Sequence, residues 1–329
     1  VVLLSGEAGI GKSRLAAALL ENLATEPHAR LRYFCSSQHT NSALYPIIAQ
    51  MERAAGLAQG DTPQARLDKL DAVLAQTSTS IEDAALFAEM LSLPNDGRYP
   101  ALELTPEQRR QRTLNAFVLQ AQALTRSNPL LIIFEDAHWA DPTSLELLGR
   151  AVDRIRRLRV LLIVTFRPEF EPGWIGQPHV TGLTLNRLAP REVDAMIDQI
   201  VGNKPLPAHI RQDIIERTDG IPLFVEEMTK AVLESGAERA ITAVWSTELA
   251  VPATLHASLM ARLDRLGSTA KEVAQTGAVI GREFSYQLLV FVAQKTGEEL
   301  QATLRRLTEA GLILCRGSLP EATFVFNHA

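Results

Sequence analysis

A glycine-rich turn near the beginning of the chain could bind phosphate. It reads Gly6-Glu7-Ala8-Gly9-Ile10-Gly11-Lys12-Ser13. Its glycines allow backbone N–H groups to converge on phosphate oxygens at positive φ, where a Cβ would clash. At this spacing Lys12 reaches the β- and γ-phosphates of a nucleotide, and Ser13 offers its hydroxyl to Mg²⁺. We therefore predict that the turn, together with Arg14, holds ATP or ADP with Mg²⁺, and a merely structural glycine turn is the weaker interpretation.

Two acidic residues follow an apolar run further along the chain. Leu130 to Phe134 is typical of a strand buried on both faces of a parallel sheet, and Glu135-Asp136 comes directly after it. In the usual order, the first acid helps to hold Mg²⁺ and the second activates the attacking water. Glu135 is then on the metal side and Asp136 is the base. Because Asp-Asp or Asp-Glu is more usual, the reverse assignment stays open, and both acids are predicted as catalytic and metal-binding residues.

A cation after another predicted strand could sense the terminal phosphate. Arg167 follows the run Val160 to Phe166 and precedes Pro168. If this strand lies beside the acidic one, Arg167 reaches the γ-phosphate, and a surface arginine is the alternative. For His138 and Trp139, a hydrogen-bonded core histidine and a packing tryptophan are at least as plausible as catalysis.

Strand and helix patterns indicate how these residues are positioned. Apolar or β-rich runs predict strands at Val1 to Ser5, Leu31 to Cys35, Leu130 to Phe134, Val160 to Phe166 and Val180 to Leu185. Helical periodicity predicts helices from Lys12 to Leu23, at four places between Leu44 and Arg126, and from Asp141, as N-cap, to about Arg157. The pattern predicts an α/β P-loop nucleotide-binding domain with a parallel sheet over residues 1–188 and a helical insertion at about 36–128.

The remainder of the chain is predicted to be mostly helical. Residues 189–235 are expected to form a small helical lid domain, in which Gly220-Ile221-Pro222 opens a helix. A linker is predicted at 236–250. Residues 251–329 combine helices with a closing β-hairpin, an order that predicts a winged-helix domain.

Composition limits the classes of function. The chain has 329 residues, 46% hydrophobic and 22% charged, which excludes a largely disordered chain and fits two or three domains. The net charge of -5 supplies no overall field for nucleic acid. Cys35 and Cys315 have no metal-ligand spacing, and no apolar run approaches the roughly 20 residues that cross a bilayer. We expect a cytoplasmic protein without membrane contact. We also expect that the sequence is truncated at both ends.

Several stretches resemble a known family, the signal-transducing ATPases with numerous domains, a branch of the AAA-type P-loop ATPases. They are Gly6 to Ser13, Phe134 to Pro142, Thr165 to Glu169, Thr218 to Glu227, Val251 to Leu255, Gly277 to Phe284 and Phe326 to Ala329. Within this family, the sequence is most similar to the ATPase segment of bacterial regulators. Those regulators carry a class III adenylate or guanylate cyclase domain before this segment and tetratricopeptide-like repeats after it. The resemblance implies that Pro222 lies at the nucleotide, that ADP holds a closed form, and that His328 contacts phosphate.

These observations favour a regulatory switch that binds ATP or ADP and hydrolyses ATP slowly, with a fused signalling output and an ATP-dependent homo-oligomer as expected partners. One alternative is a constitutive remodelling-type ATPase. Another is the ATPase module of a large transcription activator with a C-terminal helix-turn-helix. Direct nucleic-acid binding by this segment is disfavoured, because no basic recognition helix lies between Pro252 and Ala310.

Overall fold

The computed structural model describes residues 1–58, 60–95, 97–202, 206–239, 255–281, 283–293 and 295–326. The chain divides into two compact units, Val1–Asn186 and Arg187–Ala329. The first unit contains the glycine-rich turn, the acidic pair and Arg167, and the second contains Pro222. Among the described residues, no helix combines the length and the apolar character needed to cross a membrane.

A five-stranded parallel sheet forms the centre of the first unit. Its strands are β1 (Val2–Ser5), β2 (Ala29–Phe34), β3 (Leu130–Glu135), β4 (Val160–Phe166) and β5 (Thr181–Thr184). The order across the sheet is β2-β3-β4-β1-β5, and all neighbouring strands run parallel. All five predicted strands are confirmed, with bounds within two residues of the predicted ones. Because the strands are parallel, the segments that follow β1, β3 and β4 meet at one edge of the sheet.

Helices cover both faces of this sheet. The helices of the first unit are α1 (Lys12–Asn22), α2 (Tyr45–Ala55), α3 (Pro63–Ala75), α4 (Ile81–Met90), α5 (Pro106–Leu124) and α6 (Pro142–Ile155). On one face Ala16 of α1 packs against Leu131, Ile133 and Ile163. The larger core on the other face includes side chains of α3, α4, α5 and α6. This double cover explains why every residue of β3 is buried.

The second unit begins with α7 (Pro190–Val201), α8 (Ala208–Thr218) and α9 (Pro222–Arg239), which share an apolar core. Its later elements are α10 (Leu255–Arg265), α11 (Ser268–Ile280), β6 (Glu283–Ser285), α12 (Tyr286–Val292), α13 (Gly297–Glu309), β7 (Ile313–Arg316) and β8 (Thr323–Phe326). The strands form an antiparallel sheet in the order β6-β8-β7. The lid and winged-helix assignments stay predictions.

Two differences from the expected elements concern this second unit. The helix expected to end at Ser235 continues to Arg239, so the first residues of the predicted linker are helical. The rest of that linker, together with the resembling stretch that begins at Val251, lies almost wholly in residues 240–254, outside the described residues. Strand β6 was not predicted, because three residues are too few to show an alternating pattern.

Candidate functional site

The loop between β1 and α1 needs its glycines for conformational reasons. A Cβ on Gly6 would lie 2.7 Å from Cγ2 of Ile10, so the loop closes too tightly for a side chain. Gly9 and Gly11 have φ values of 76° and 105°, a region that other residues rarely adopt. Gly11 is also the N-cap of α1, and its left-handed conformation turns the chain directly into the helix. The first amides of α1 are therefore presented at the loop, where they favour an anion.

Lys12 is buried inside this loop. The residue is 7% exposed, and its Nζ donates to the carbonyl oxygens of Gly6, at 2.7 Å, and Glu7, at 2.9 Å. Burial lowers the pKa of Lys12, and the carboxylate of Asp136 partly opposes this shift. The loop thus holds an ammonium group and the amino end of a helix together, which is a setting suited to a polyphosphate.

Asp136 is held at the carboxyl end of β3 by the neighbouring strand. Its backbone is left-handed, with φ 57°, and its N–H donates to Oγ1 of Thr165 at 3.0 Å. Thr165 is fully buried in β4, so this hydroxyl fixes where the chain leaves β3. The charge of Asp136 raises the pKa of Lys12, which places the carboxylate near the ammonium group. The sheet therefore brings together the predicted acid and the predicted phosphate-binding cation.

Glu135 has a different environment. It is 1% exposed, and its Oε1 accepts from Nε of Arg32 at 2.6 Å. Arg32 lies on β2, opposite Ile133 of β3. The neighbouring charged side chains that shift the pKa of Lys12 are Asp136, Arg167 and Glu169. Of the two acids, Asp136 is thus the one whose charge acts on Lys12, while Glu135 is bound by a cation that the sequence pattern did not single out. Which acid is the base and which holds the metal stays a prediction.

Arg167 extends from the end of β4 towards the segment that follows the acids. Strand β4 lies next to β3, as the sensor interpretation required. The Cζ of Arg167 lies 5.0 Å from the ring centroid of Trp139, a cation–π distance. The charges of Arg167 and Lys12 both lower the pKa of His138, and burial is the largest cause of that shift. Arg167 is therefore near the same cluster, and its sensor role stays a prediction.

His138 does not behave as a hydrogen-bonded core histidine. Its two ring nitrogens are buried and have no hydrogen-bond partner within the described parts of the chain. Its ring centroid lies 4.5 Å from that of Trp139, with the planes inclined by 45°. Burial lowers the pKa of the imidazole, because it disfavours the charged form. Within the described residues, the ring therefore lacks the protein partners that the hydrogen-bonded interpretation predicted.

Asp141 fixes the far end of the segment that starts at Asp136. Its Oδ1 accepts from the amides of Leu44 at 3.1 Å, Thr143 at 3.0 Å and Ser144 at 2.9 Å. The hydroxyl of Ser144 donates to Oδ2 at 2.5 Å. The predicted N-cap is confirmed, and the contact with Leu44 adds a link to the start of α2. The acidic segment is therefore held at both ends by hydrogen bonds, of which those at Asp141 are the more buried.

The local environments of three further residues predicted to bind the nucleotide or the metal are as follows, and their roles stay predictions. Ser13 is half-buried in the first turn of α1. Arg14 is exposed and pairs with Glu21 at 3.0 Å along the outer face of the helix. Pro222 is the first residue of α9 in the second unit. His328, which the resemblance placed at phosphate, lies outside the described residues.

The donor set suits a metal that arrives with a nucleotide. In the part of the chain that the structure describes, no group of three or more His, Cys, Asp or Glu side chains could hold a metal ion by itself. Mg²⁺ at a phosphate loop takes most of its ligands from phosphate oxygens and water, so such a group is not needed. The Ser13 hydroxyl and the carboxylates of Glu135 and Asp136 are hard oxygen ligands of the required type.

Comparisons with known proteins find a matching family and several similar chains. Residues 1–164 match the family described as AAA ATPase domain. Over 338 aligned positions, the chain is 28% identical to an uncharacterized protein of Rhizobium meliloti (strain 1021). The alignment covers 100% of this chain and 32% of that protein, so the chain spans about a third of the length of this curated relative.

Two solved structures are similar over nearly the whole chain at low identity. A signal transduction ATPase with numerous domains (STAND) protein with a tetratricopeptide repeat sensor from Pyrococcus horikoshii is 16% identical, with a TM-score of 0.48, over 99% of this chain and 38% of that one. Cdc6p from Pyrobaculum aerophilum is 12% identical, with a TM-score of 0.41, over 99% of this chain and 83% of that one. The segment that matches the AAA ATPase domain family, residues 1–164, contains both the glycine-rich loop and the acidic strand end.

Proposed function

We propose that the chain is a regulatory switch module in which ADP holds a closed state, ATP opens it, and slow Mg²⁺-dependent hydrolysis of ATP resets it. The observation that carries this proposal is the buried Lys12, which lies inside the glycine-rich loop and is subject to the charges of Asp136 and Arg167. The switch controls a fused signalling output, such as a nucleotide cyclase. An output in another part of the polypeptide is supported by the curated relative, of which the chain spans 32%.

The free energy needed to switch between two states sets the minimum number of protein groups that must contact the γ-phosphate. Shifting a two-state population from 1:99 to 99:1 needs about 5.5 kcal/mol of differential binding. One charge-assisted hydrogen bond contributes about 1.5–3 kcal/mol, so at least two groups must distinguish ATP from ADP. Lys12 and Arg167 are the two candidates. Arg167 lowers the pKa of Lys12, which is the sign expected for two cations that repel each other, and a bound polyanion would relieve this repulsion.

We propose roles in hydrolysis for the other residues around the phosphate loop. When bound, Mg²⁺ neutralises charge on the phosphates, and Ser13, Glu135 and Asp136 would hold it directly or through water. Asp136 is the proposed base that orients the attacking water, with Glu135 on the metal side. Thr165 fixes the exit of the chain from β3, and with it the position of Asp136. Because Asp136 is short, we expect slow turnover, as a switch requires.

Binding calorimetry with ADP and ATP in the presence of Mg²⁺ tests the proposal. Replacing Lys12 with Ala should weaken both nucleotides by about a hundredfold or more, because a buried charged donor is lost. Lys69→Ala is the matched control, since that lysine forms a surface ion pair with Asp61 in the same unit. If the folded wild-type protein takes up neither nucleotide, the proposed function is wrong.

The sensor assignment has its own test. Arg167→Ala should abolish most of the preference for ATP over ADP while ADP affinity is kept, and Arg30→Ala, at an exposed position on β2, should change neither. Full retention of the preference in Arg167→Ala would show that this arginine does not sense the γ-phosphate.

Turnover and flanking sequence separate the alternatives. A steady-state rate well above about one per second without a partner would favour a constitutive remodelling-type ATPase. A cyclase domain encoded upstream would support the cyclase-linked regulator, whereas a helix-turn-helix downstream would support the transcription activator. Light scattering with ATP and with ADP tests the proposed ATP-dependent homo-oligomer.

A further inference from the structure

His138 has two hydrogen-bonding atoms that the protein does not satisfy. Both ring nitrogens are buried and lack partners in the described residues, although a neutral imidazole offers one donor and one acceptor. Buried polar groups in native proteins are almost always hydrogen-bonded, so an orphaned pair calls for a ligand or an ordered water. Hydrogen bonds hold both ends of the segment from Asp136 to Asp141, so the unsatisfied ring stands out between them.

The surroundings of the ring indicate which ligand it would meet. The charges that act on His138 belong to Asp136, Arg167, Lys12 and Glu169, and Lys12 is subject to the other three. The imidazole therefore lies within the cluster of charges around the phosphate loop. Trp139 contacts both neighbours, with His138 at 4.5 Å between ring centroids and the Arg167 Cζ at 5.0 Å from its ring centroid. This tryptophan holds the imidazole and the guanidinium in one group.

The sheet order indicates which phosphate this group would contact. The glycine-rich loop and the amino end of α1 follow β1, and they suit the phosphates nearest the nucleoside. His138 and Arg167 follow β3 and β4, and β4 separates β3 from β1 in the sheet. Groups from the β3 and β4 ends are therefore placed to meet the far end of a polyphosphate that enters along the loop.

We propose that His138 is a further nucleotide-binding residue, whose imidazole N–H donates a hydrogen bond to an oxygen of the γ-phosphate of bound ATP. This inference rests on the proposed function and adds a third group that distinguishes ATP from ADP. ADP has no γ-phosphate, so the contact forms only in the ATP-bound state. The bond fills a donor that is otherwise unsatisfied, and it requires no displacement of an existing protein partner.

Calorimetry of His138 variants with ADP and with a non-hydrolysable ATP analogue, both with Mg²⁺, tests the proposal. His138→Ala should raise the Kd for the ATP analogue about tenfold or more and change the Kd for ADP less than about twofold. His138→Asn, which keeps a donor, should recover part of the loss. His179→Ala is the control, because the Nε2 of His179 lies 2.8 Å from the Val152 carbonyl oxygen and His179 precedes β5 at the opposite edge of the sheet.

A second measurement does not depend on the folding of a variant. In wild-type protein labelled with ¹⁵N-histidine, the ATP analogue should shift the ring nitrogen resonances of His138, whereas ADP should leave them nearly unchanged. Equal shifts with both nucleotides, or unchanged ATP-analogue affinity in His138→Ala, would overturn the proposal and leave an ordered water as the partner. If His138→Ala lost affinity for ADP and for the ATP analogue equally and also had a lower Tm, the proposal would be overturned in favour of a structural role. Failure of the wild type to bind either nucleotide would instead refute the proposed function.

Discussion

The ion pair between Arg32 and Glu135 allows a quantitative test of how the acidic strand end is supported. Glu135 is 1% exposed and its Oε1 lies 2.6 Å from the Arg32 Nε. Arg32→Ala would leave this carboxylate buried without its cation. Because a buried charge that loses its partner is strongly destabilising, the first unit should unfold more easily in this variant.

The size of the effect follows from the exposure of the two side chains. Removing one member of a fully buried pair costs about 3–5 kcal/mol. The Arg32 side chain is 26% exposed, so water already screens part of the interaction. We therefore expect a loss of about 2–3 kcal/mol in the free energy of unfolding, or roughly 4–12 °C in Tm for a unit of this size.

Urea and thermal unfolding of a small set of variants provide the assay. The double variant Arg32→Ala with Glu135→Gln removes the uncompensated charge, so it should be more stable than Arg32→Ala by about 1 kcal/mol or more. Arg30→Ala, at an exposed position on the same strand, should stay within about 0.5 kcal/mol of the wild type. A loss below about 0.5 kcal/mol in Arg32→Ala, or a double variant no more stable than the single one, would refute the reasoning.

Two other substitutions, each paired with a control variant, test how neighbouring segments are held. In Gly220→Ala the new Cβ would lie 2.3 Å from the Leu188 carbonyl oxygen, so urea unfolding should show a loss above about 2 kcal/mol. Gly311→Ala, with similar φ but open space, should cost only about 1 kcal/mol, and equal losses would contradict the steric argument. Asp141→Ala leaves three amides and a hydroxyl without their acceptor, so thermal unfolding should show a loss of about 3 kcal/mol. Thr62→Ala removes a cap that accepts one amide and should cost about 1 kcal/mol, and an equal cost for both caps would count against this account.

Much of the fold and part of the site could be predicted from local patterns. The buried strand before Glu135, the helix that starts at Asp141 and the glycine-rich turn each depend on residues close together in the chain. Hydrophobic periodicity, capping chemistry and the φ freedom of glycine act over a few residues, so they can be read without the fold. Strand β6 was missed because its three residues carry too little of any pattern.

The sequence by itself therefore determined the α/β order of the first unit, the phosphate loop with Lys12, and the place of two acids and a cation after predicted strands. Only the tertiary structure decided that Arg32 binds Glu135, that Thr165 holds Asp136, and that His138 is left with unsatisfied nitrogens. The first two contacts join residues from neighbouring strands, and their formation depends on strand order and register. No local pattern contains that information, because partners distant in sequence meet only once the sheet has assembled.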